Sequence, residues 1–323
     1  MKEVCFSLMV DSGGNGQFLT ISQAVAYAGR YTGYPVTIRI APGIYRERVE
    51  IHQSLITLEG TDPFTTILTF DDYAKSFMPN GEKRGTFRTP SFFVDAGPFS
   101  ARNLTFQNSA GPGHQVGQAL AAYVDADYVT FKNCRFLGHQ DTLFTAPLPP
   151  TAYEPNGFRG PKEFSPRLPG RHFYKSCYLE GEVDFIFGGA AAYFEDCELY
   201  SLNIGQEING YVTAASTPKE QAWGYVFQNC RFHSNCPDRS VYLGRPWRNY
   251  AQTVILNSYL GPHIREEGWH DWNKLQARST VFYGEYGNFG PGSVPEKRPG
   301  WIHQLSREEA SVYTKEHLLG QNW

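Results

Sequence analysis

Two aspartates stand at the same place in two copies of one sequence unit. The first copy runs Phe131-Lys132-Asn133-Cys134-Arg135-Phe136-Leu137-Gly138-His139-Gln140-Asp141-Thr142-Leu143. The second runs Phe173-Tyr174-Lys175-Ser176-Cys177-Tyr178-Leu179-Glu180-Gly181-Glu182-Val183-Asp184-Phe185. In each, the aspartate follows the cysteine by seven residues. If the copies are successive coils of a solenoid, equivalent positions stack, and Asp141 and Asp184 lie one strand spacing, about 4.8 Å, apart. Carboxylates that close resist ionising together, so one pKa rises and the pair titrates as a unit. Such a pair supplies one nucleophile or base and one proton donor near neutral pH. A lone aspartate at a turn is more often a cap. The shared offset and the neighbouring residues favour chemistry here.

Those neighbours are Gln140, beside Asp141, and Gln118 in Gln118-Ala119-Leu120-Ala121, in the turn before the preceding strand. Neutral amide donors hold a developing oxyanion without titrating. Further on, Leu243-Gly244-Arg245-Pro246-Trp247 fixes a guanidinium and an indole on either side of a proline. Arg245 could keep an aspartate ionised through a bidentate hydrogen bond, and Trp247 could stack on a sugar face. Read blandly, Arg245 is a structural ion pair and Trp247 a packed aromatic.

The elements that must position these groups follow from a repeat. An aromatic or aliphatic residue, a spacer, Asn/Asp/Ser, then Cys/Ser recurs at Phe106–Ser109, Phe131–Phe136, Tyr174–Leu179, Phe194–Leu199, Phe227–Phe232 and, shortened, Leu256–Leu260. With Cys or Ser as marker (109, 134, 177, 197, 230, 258) the steps are 25, 43, 20, 33 and 28 residues. A base period of 20 to 28 with insertions is a solenoid signature. Several short strands per period make it all-β, a parallel β-helix. Early strands are expected at Val36–Ile40, Val49–Ile51, Leu55–Glu59 and Thr66–Phe70. Thr20 to Gln23 reads as a capping box opening a short helix to Tyr31, and Ser306 to Glu309 as another opening a helix through Tyr313 to Leu318. Both helices would cover the solenoid, which is expected to form one domain over 1–323. The long step holds a Pro- and Gly-rich insertion, Thr145 to Arg171, that can be neither strand nor helix and is expected to rim the site.

Charge and composition narrow the rest. A net charge of −3 with no basic stripe points away from nucleic acid. An aromatic content of 15% suits stacked β-ladders first and a sugar-binding groove second. Cys134, Cys177, Cys197 and Cys230 share one repeat position and are expected to be buried, reduced and inert, with no zinc spacing among the six cysteines. No apolar run reaches membrane-spanning length. After Met1-Lys2-Glu3 the apolar stretch Val4–Val10 is too short for a signal peptide and reads as a first strand. A cytoplasmic protein is therefore expected, or a secreted one whose signal is missing from this sequence.

Taken together, Gly43-Ile44-Tyr45-Arg46-Glu47, Gln118-Ala119-Leu120-Ala121, Gly138-His139-Gln140-Asp141-Thr142-Leu143, Asp184-Phe185-Ile186-Phe187-Gly188 and Leu243-Gly244-Arg245-Pro246-Trp247 resemble, in order, the five signature segments of pectin methylesterases. Gly268-Trp269-His270-Asp271-Trp272 and Tyr283-Gly284-Glu285-Tyr286 resemble the family too. The resemblance implies a right-handed parallel β-helix and hydrolysis of galacturonate methyl esters in pectin, releasing methanol; the expected lack of a secretion signal adds imported methylated oligogalacturonides as a substrate. It makes Asp184 the nucleophile, Asp141 the general acid and then base, Gln118 and Gln140 the oxyanion donors, and Arg245 the residue that orients Asp184. Trp247 and, by Gly85-Thr86-Phe87-Arg88, Thr86 would contact substrate. No metal or cofactor is implied, and a monomer with a pectin or oligogalacturonide substrate is expected. The insertion is longer than in plant-type members, and Gln118 opens QALAA where the family usually has QAVAL. Competing readings are a calcium-dependent pectate lyase, a polygalacturonase-like glycosidase, and a thioesterase relative or a carbohydrate-binding solenoid without catalysis.

Overall fold

Three parallel sheets run the length of the molecule. The computed structural model describes residues 4–321 and 323, so Met1–Glu3 of the N-terminal stretch lie outside the described residues. One sheet has eleven strands, from Phe6–Val10 to His303–Gln304; a second has eight, from Gly43–Arg46 to Tyr259–Leu260; a third has seven, from Val49–Ile51 to Val241–Gly244. Among the described residues seven successive coils place one strand in each sheet, and within each sheet successive strands pair in parallel. This is a parallel β-helix. The early strands fall where alternation places them, with Leu55–Glu59 displaced by one residue to Ile56–Gly60.

The turn between the eleven- and eight-stranded sheets explains the Asn/Asp/Ser of the repeat. One residue there takes a left-handed conformation: Asn103, Asn133, Ser176, Asp196, Asn229 and Asn257 have φ between 49° and 58°. Short polar side chains tolerate that region best after glycine. The residue that follows points inward, and Cys134, Cys177, Cys197 and Cys230 are buried there, all as free thiols. The first unit is shifted from its expected place. Arg135 pairs with Thr105, so Leu104 occupies the cysteine position and Asn103 the polar one, and Phe106–Ser109 lies further along the coil. Leu104 escaped the pattern because an aliphatic side chain fills the interior as well as a thiol does.

Inside, aromatic residues stack along the axis at equivalent positions. Phe131 and Tyr174, Tyr174 and Phe194, and Phe194 and Phe227 have ring centroids 5.3, 4.5 and 4.5 Å apart and lie within 12° of parallel. The N-terminal helix, Ile21–Ala28, carries the expected Thr20–Gln23 capping box and continues as a 3₁₀ turn to Tyr31. The C-terminal helix is broken in two: Arg307–Ala310 begins at the Ser306 box, and Lys315–Leu319 begins anew at Thr314. Thr314 caps the second segment through the His317 N–H, which restarts the helix where the sequence suggested one run. Leu318 and Leu319 pack on Phe173, Tyr193, Val226 and Val254, so this segment covers the flank of the long sheet.

Phe194 is buried and stacked on both sides, so Phe194→Ala is expected to destabilise the fold by about 3–5 kcal/mol. Denaturant unfolding of the parent and variant measures the difference.

Candidate active site

The strands Leu143–Thr145 and Val183–Gly188 are neighbours in the seven-stranded sheet, with Leu143 opposite Ile186. Asp141 and Asp184 therefore precede the paired residues by the same number of positions. The Asp141 N–H donates to the Val183 carbonyl at 3.1 Å, which locks the two rungs at the aspartates. Both aspartates are left-handed, with φ of 64° and 53°. At Asp184 the cause is local: the pairing with Gly210–Ala215 slips between Val183 and Ile186, a bulge that re-aims the side chain. Tight packing holds the turn beneath, since a Cβ on Gly181 would sit 2.3 Å from the Phe185 Cβ and 2.6 Å from the His139 carbonyl.

The two carboxyls have different surroundings. Arg245 donates Nε–H to Asp184 Oδ1 at 2.8 Å and Nη2–H to Oδ2 at 2.7 Å. Asp141 has no hydrogen-bond partner for its carboxyl among the described residues and is 8% exposed; Asp184 is 7% exposed. Burial pushes the pKa of both above the ordinary carboxylate range. At Asp184 the arginine's charge and its two hydrogen bonds oppose that rise. At Asp141 the charge of Asp184 adds to burial, Arg245 opposes only from a distance, and the pKa goes well above its usual value. Asp184 thus ionises first, and its charge is the one Asp141 feels. The arrangement favours a carboxylate at Asp184 and a carboxylic acid at Asp141. Arg245 is itself held between two rings, its guanidinium carbon 3.9 Å from the Tyr211 centroid and 3.6 Å from that of Trp272.

All seven residues singled out in the sequence, Thr86, Gln118, Gln140, Asp141, Asp184, Arg245 and Trp247, line one cleft of about 450 Å³. Gln118 and Gln140 are joined through the backbone, the Ala119 N–H donating to the Gln140 carbonyl at 3.1 Å. Their side-chain amides are not engaged by any other group among the described residues, which leaves them available to a ligand. Trp247 is packed by Phe158 and Phe187 and also lines the cleft. Trp272, Tyr211 and Tyr153 were not singled out for this site. Trp272 stood in a segment quoted for resemblance alone; Tyr211 and Tyr153 carry no local signal. Trp269 and Glu285, from the two other resembling segments, are joined instead beneath the site: Trp269 Nε1–H donates to Glu285 at 2.9 Å, and Arg298 completes the buried group at 2.8 Å.

The pectinesterase family profile matches residues 7–148 and 168–322. The chain belongs to the pectinesterase family. It is 36% identical to pectinesterase 31 of Arabidopsis thaliana over 94% of this chain and 89% of that protein. Pectin methylesterase from carrot superposes with a TM-score of 0.83 at 30% identity, covering 98% of this chain and 94% of that one. A crystal structure of a pectin methylesterase in complex with a hexasaccharide superposes with a TM-score of 0.80 at 27% identity, each chain 98% covered. Two other plant relatives are longer, and this chain spans 55% and 51% of them.

What the pectinesterase profile omits, residues 149–167, lies within the Pro-rich insertion. Thr145 ends one strand and Arg171 begins the next; the connection between them, residues 146–170, contains no strand or helix and does rim the cleft, through Ala152, Tyr153, Glu154, Gly157 and Phe158. It is anchored at both ends. Tyr153 donates its hydroxyl to the Trp247 carbonyl at 2.8 Å, and Arg248 lies 3.8 Å over its ring. Phe158 packs on Phe87, and Lys162 bridges Asp95 and Asp125, each at 3.3 Å. Among the described residues no helix is long and apolar enough to cross a membrane.

Because Asp141 keeps its proton to a higher pH in the folded protein than in the unfolded chain, the folded state binds more protons. Stability should then fall as pH rises from the ordinary carboxylate range through the raised value. Asp141→Asn stays neutral throughout and tolerates a positive φ. Its Tm is expected to exceed that of the parent at about pH 8, the gap shrinking towards about pH 4. Thermal unfolding at both pH values checks the sign.

Proposed function

We propose that this chain hydrolyses the methyl esters of galacturonate in pectin or methylated oligogalacturonides, with Asp184 as nucleophile and Asp141 as acid, then base. The observation that carries the assignment is the unequal treatment of two neighbouring carboxyls, one gripped twice by Arg245 and the other left without a partner. The ionised Asp184 attacks the ester carbonyl, and the oxyanion that develops is received by the amides of Gln118 and Gln140. Collapse expels the methoxy group, which takes the proton of Asp141 and leaves as methanol, with Asp184 now held in an anhydride. Asp141, ionised by that transfer, removes a proton from water. The hydroxide attacks the anhydride, freeing galacturonate and restoring Asp184; the proton taken from water restores Asp141.

Electrostatics favour this division of roles over its reverse. A nucleophile must be ionised, and Arg245 faces Asp184; a proton donor must be neutral, and Asp141 is buried beside that negative charge. Thr86 and Trp247 are assigned to substrate contact from their place in the cleft. The family name, pectinesterase, supports the ester, and the hexasaccharide held by a similar pectin methylesterase supports an oligosaccharide as its carrier. The chain is proposed to act as one catalytic domain and as a monomer.

Two measurements test this. Asp184→Asn is expected to lower methanol release from methylated pectin by at least about 10³-fold with the fold retained by circular dichroism, and turnover at the parental rate refutes the nucleophile. The insertion places Tyr153, pinned to the Trp247 carbonyl, at the rim of the cleft, and a preference for short substrates is proposed. Methanol release is expected to be at least as fast, per ester, from methylated oligogalacturonides as from long pectin. Strong action on the polymer with little on oligomers counts against that preference.

A further inference from the structure

The stacking that pairs Asp141 with Asp184 also pairs the residues two positions earlier, His139 and Glu182. Glu182 is 4% exposed, deep for a carboxylate. Its Oε1 lies within hydrogen-bond distance of His139 Nδ1, at 2.6 Å, and its Oε2 accepts the Gly113 N–H at 2.9 Å. Its own N–H donates to the His139 carbonyl at 2.8 Å. One side chain thus ties three pieces of chain together: the strand that carries Asp184, the turn that carries Gln140, and the short helix Gly113–Val116 that leads into Gln118.

Gly113 lies directly against Gln140. A Cβ added to Gly113 would sit 2.7 Å from the Gln140 Cβ, 2.8 Å from Gln140 Oε1 and 3.1 Å from Glu182 Oε2. Gly113 is therefore drawn by Glu182 against the flank of Gln140, and no side chain fits between them. Neither glutamine amide has a protein partner of its own among the described residues, so their placement comes from the backbones and packing around them. We propose that Glu182 is a positioning residue: its carboxylate sets Gln140, and through the Gly113–Val116 turn Gln118, at a fixed distance from the Asp184 strand. The role matters because an oxyanion donor acts only when already in place, and displacement by about 1 Å costs about 10²-fold.

This rests on the ester-hydrolase reading above, and the test separates the two. Methanol release from methylated pectin would be measured for the parent, Glu182→Ala, Glu182→Gln, Gln140→Ala and the Glu182→Ala/Gln140→Ala double variant. Glu182→Ala is expected to lower kcat about 10- to 100-fold with KM within about twofold. Glu182→Gln, which keeps the shape and an acceptor for Gly113, should recover most of that loss. In the double variant the effects should fail to multiply, kcat staying within about threefold of Gln140→Ala alone. Should Glu182→Ala not fold, Gly113→Ala leaves Glu182 intact and pushes on Gln140, and the same fall in kcat is expected. A kcat for Glu182→Ala within about twofold of the parent, or full multiplication with Gln140→Ala, overturns the positioning role. So does parental kcat in Gly113→Ala. A parent that releases no methanol overturns the ester reading, and the positioning role with it.

Discussion

The in-register stacking of two neighbouring coils is the constraint on which the rest of this structure depends. A single backbone hydrogen bond, Asp141 N–H to the Val183 carbonyl, marks the place where it becomes chemical. Parallel pairing gives equivalent residues of successive coils the same height and direction. Two acids far apart in sequence thus become lateral neighbours, and so do His139 and Glu182. A slip of one residue would send alternate side chains to the opposite face. The aromatic stack within the coils opposes such a slip, because Phe131, Tyr174, Phe194 and Phe227 stack only in this register.

Symmetry between coils would make the two aspartates equivalent, and equivalent acids make a poor catalyst. Arg245, from a third coil, breaks the symmetry by reaching one carboxylate and not the other. Tyr211 and Trp272 hold the guanidinium between their faces, which limits its rotation and keeps it in that single pairing. The Pro-rich insertion adds a wall outside the repeating coils. Without a ladder of its own, it is secured by individual contacts: Tyr153 on Trp247, Phe158 on Phe87 and Lys162 between two aspartates.

Much of this was legible in the chain because a solenoid repeats its requirements. The left-handed turn position asks for Asn, Asp or Ser in coil after coil, and the interior asks for small or aromatic residues, so both left a pattern. Where chemistry permits a substitute, the pattern broke. Leu104 fills a cysteine site, and the unit around Phe106 was placed too late along the chain as a consequence. The C-terminal helix was read as one run because its capping signals are local, and the restart at Thr314 became visible only against the sheet it covers.

The sequence by itself determined the repeat, the parallel β-helix, the two aspartates at one offset and, through the ordered segments together with the Thr86 match, the seven residues that share the cleft. Periodicity and short motifs carry that information within a few dozen residues. The tertiary structure alone decided that Arg245 grips Asp184 at two points and leaves Asp141 without a partner among the described residues, which rings enclose that arginine, and that Glu182 joins the turns beneath the two glutamines. Those are contacts between coils, set by direction and burial at the edges of strands, and no spacing along one chain encodes them.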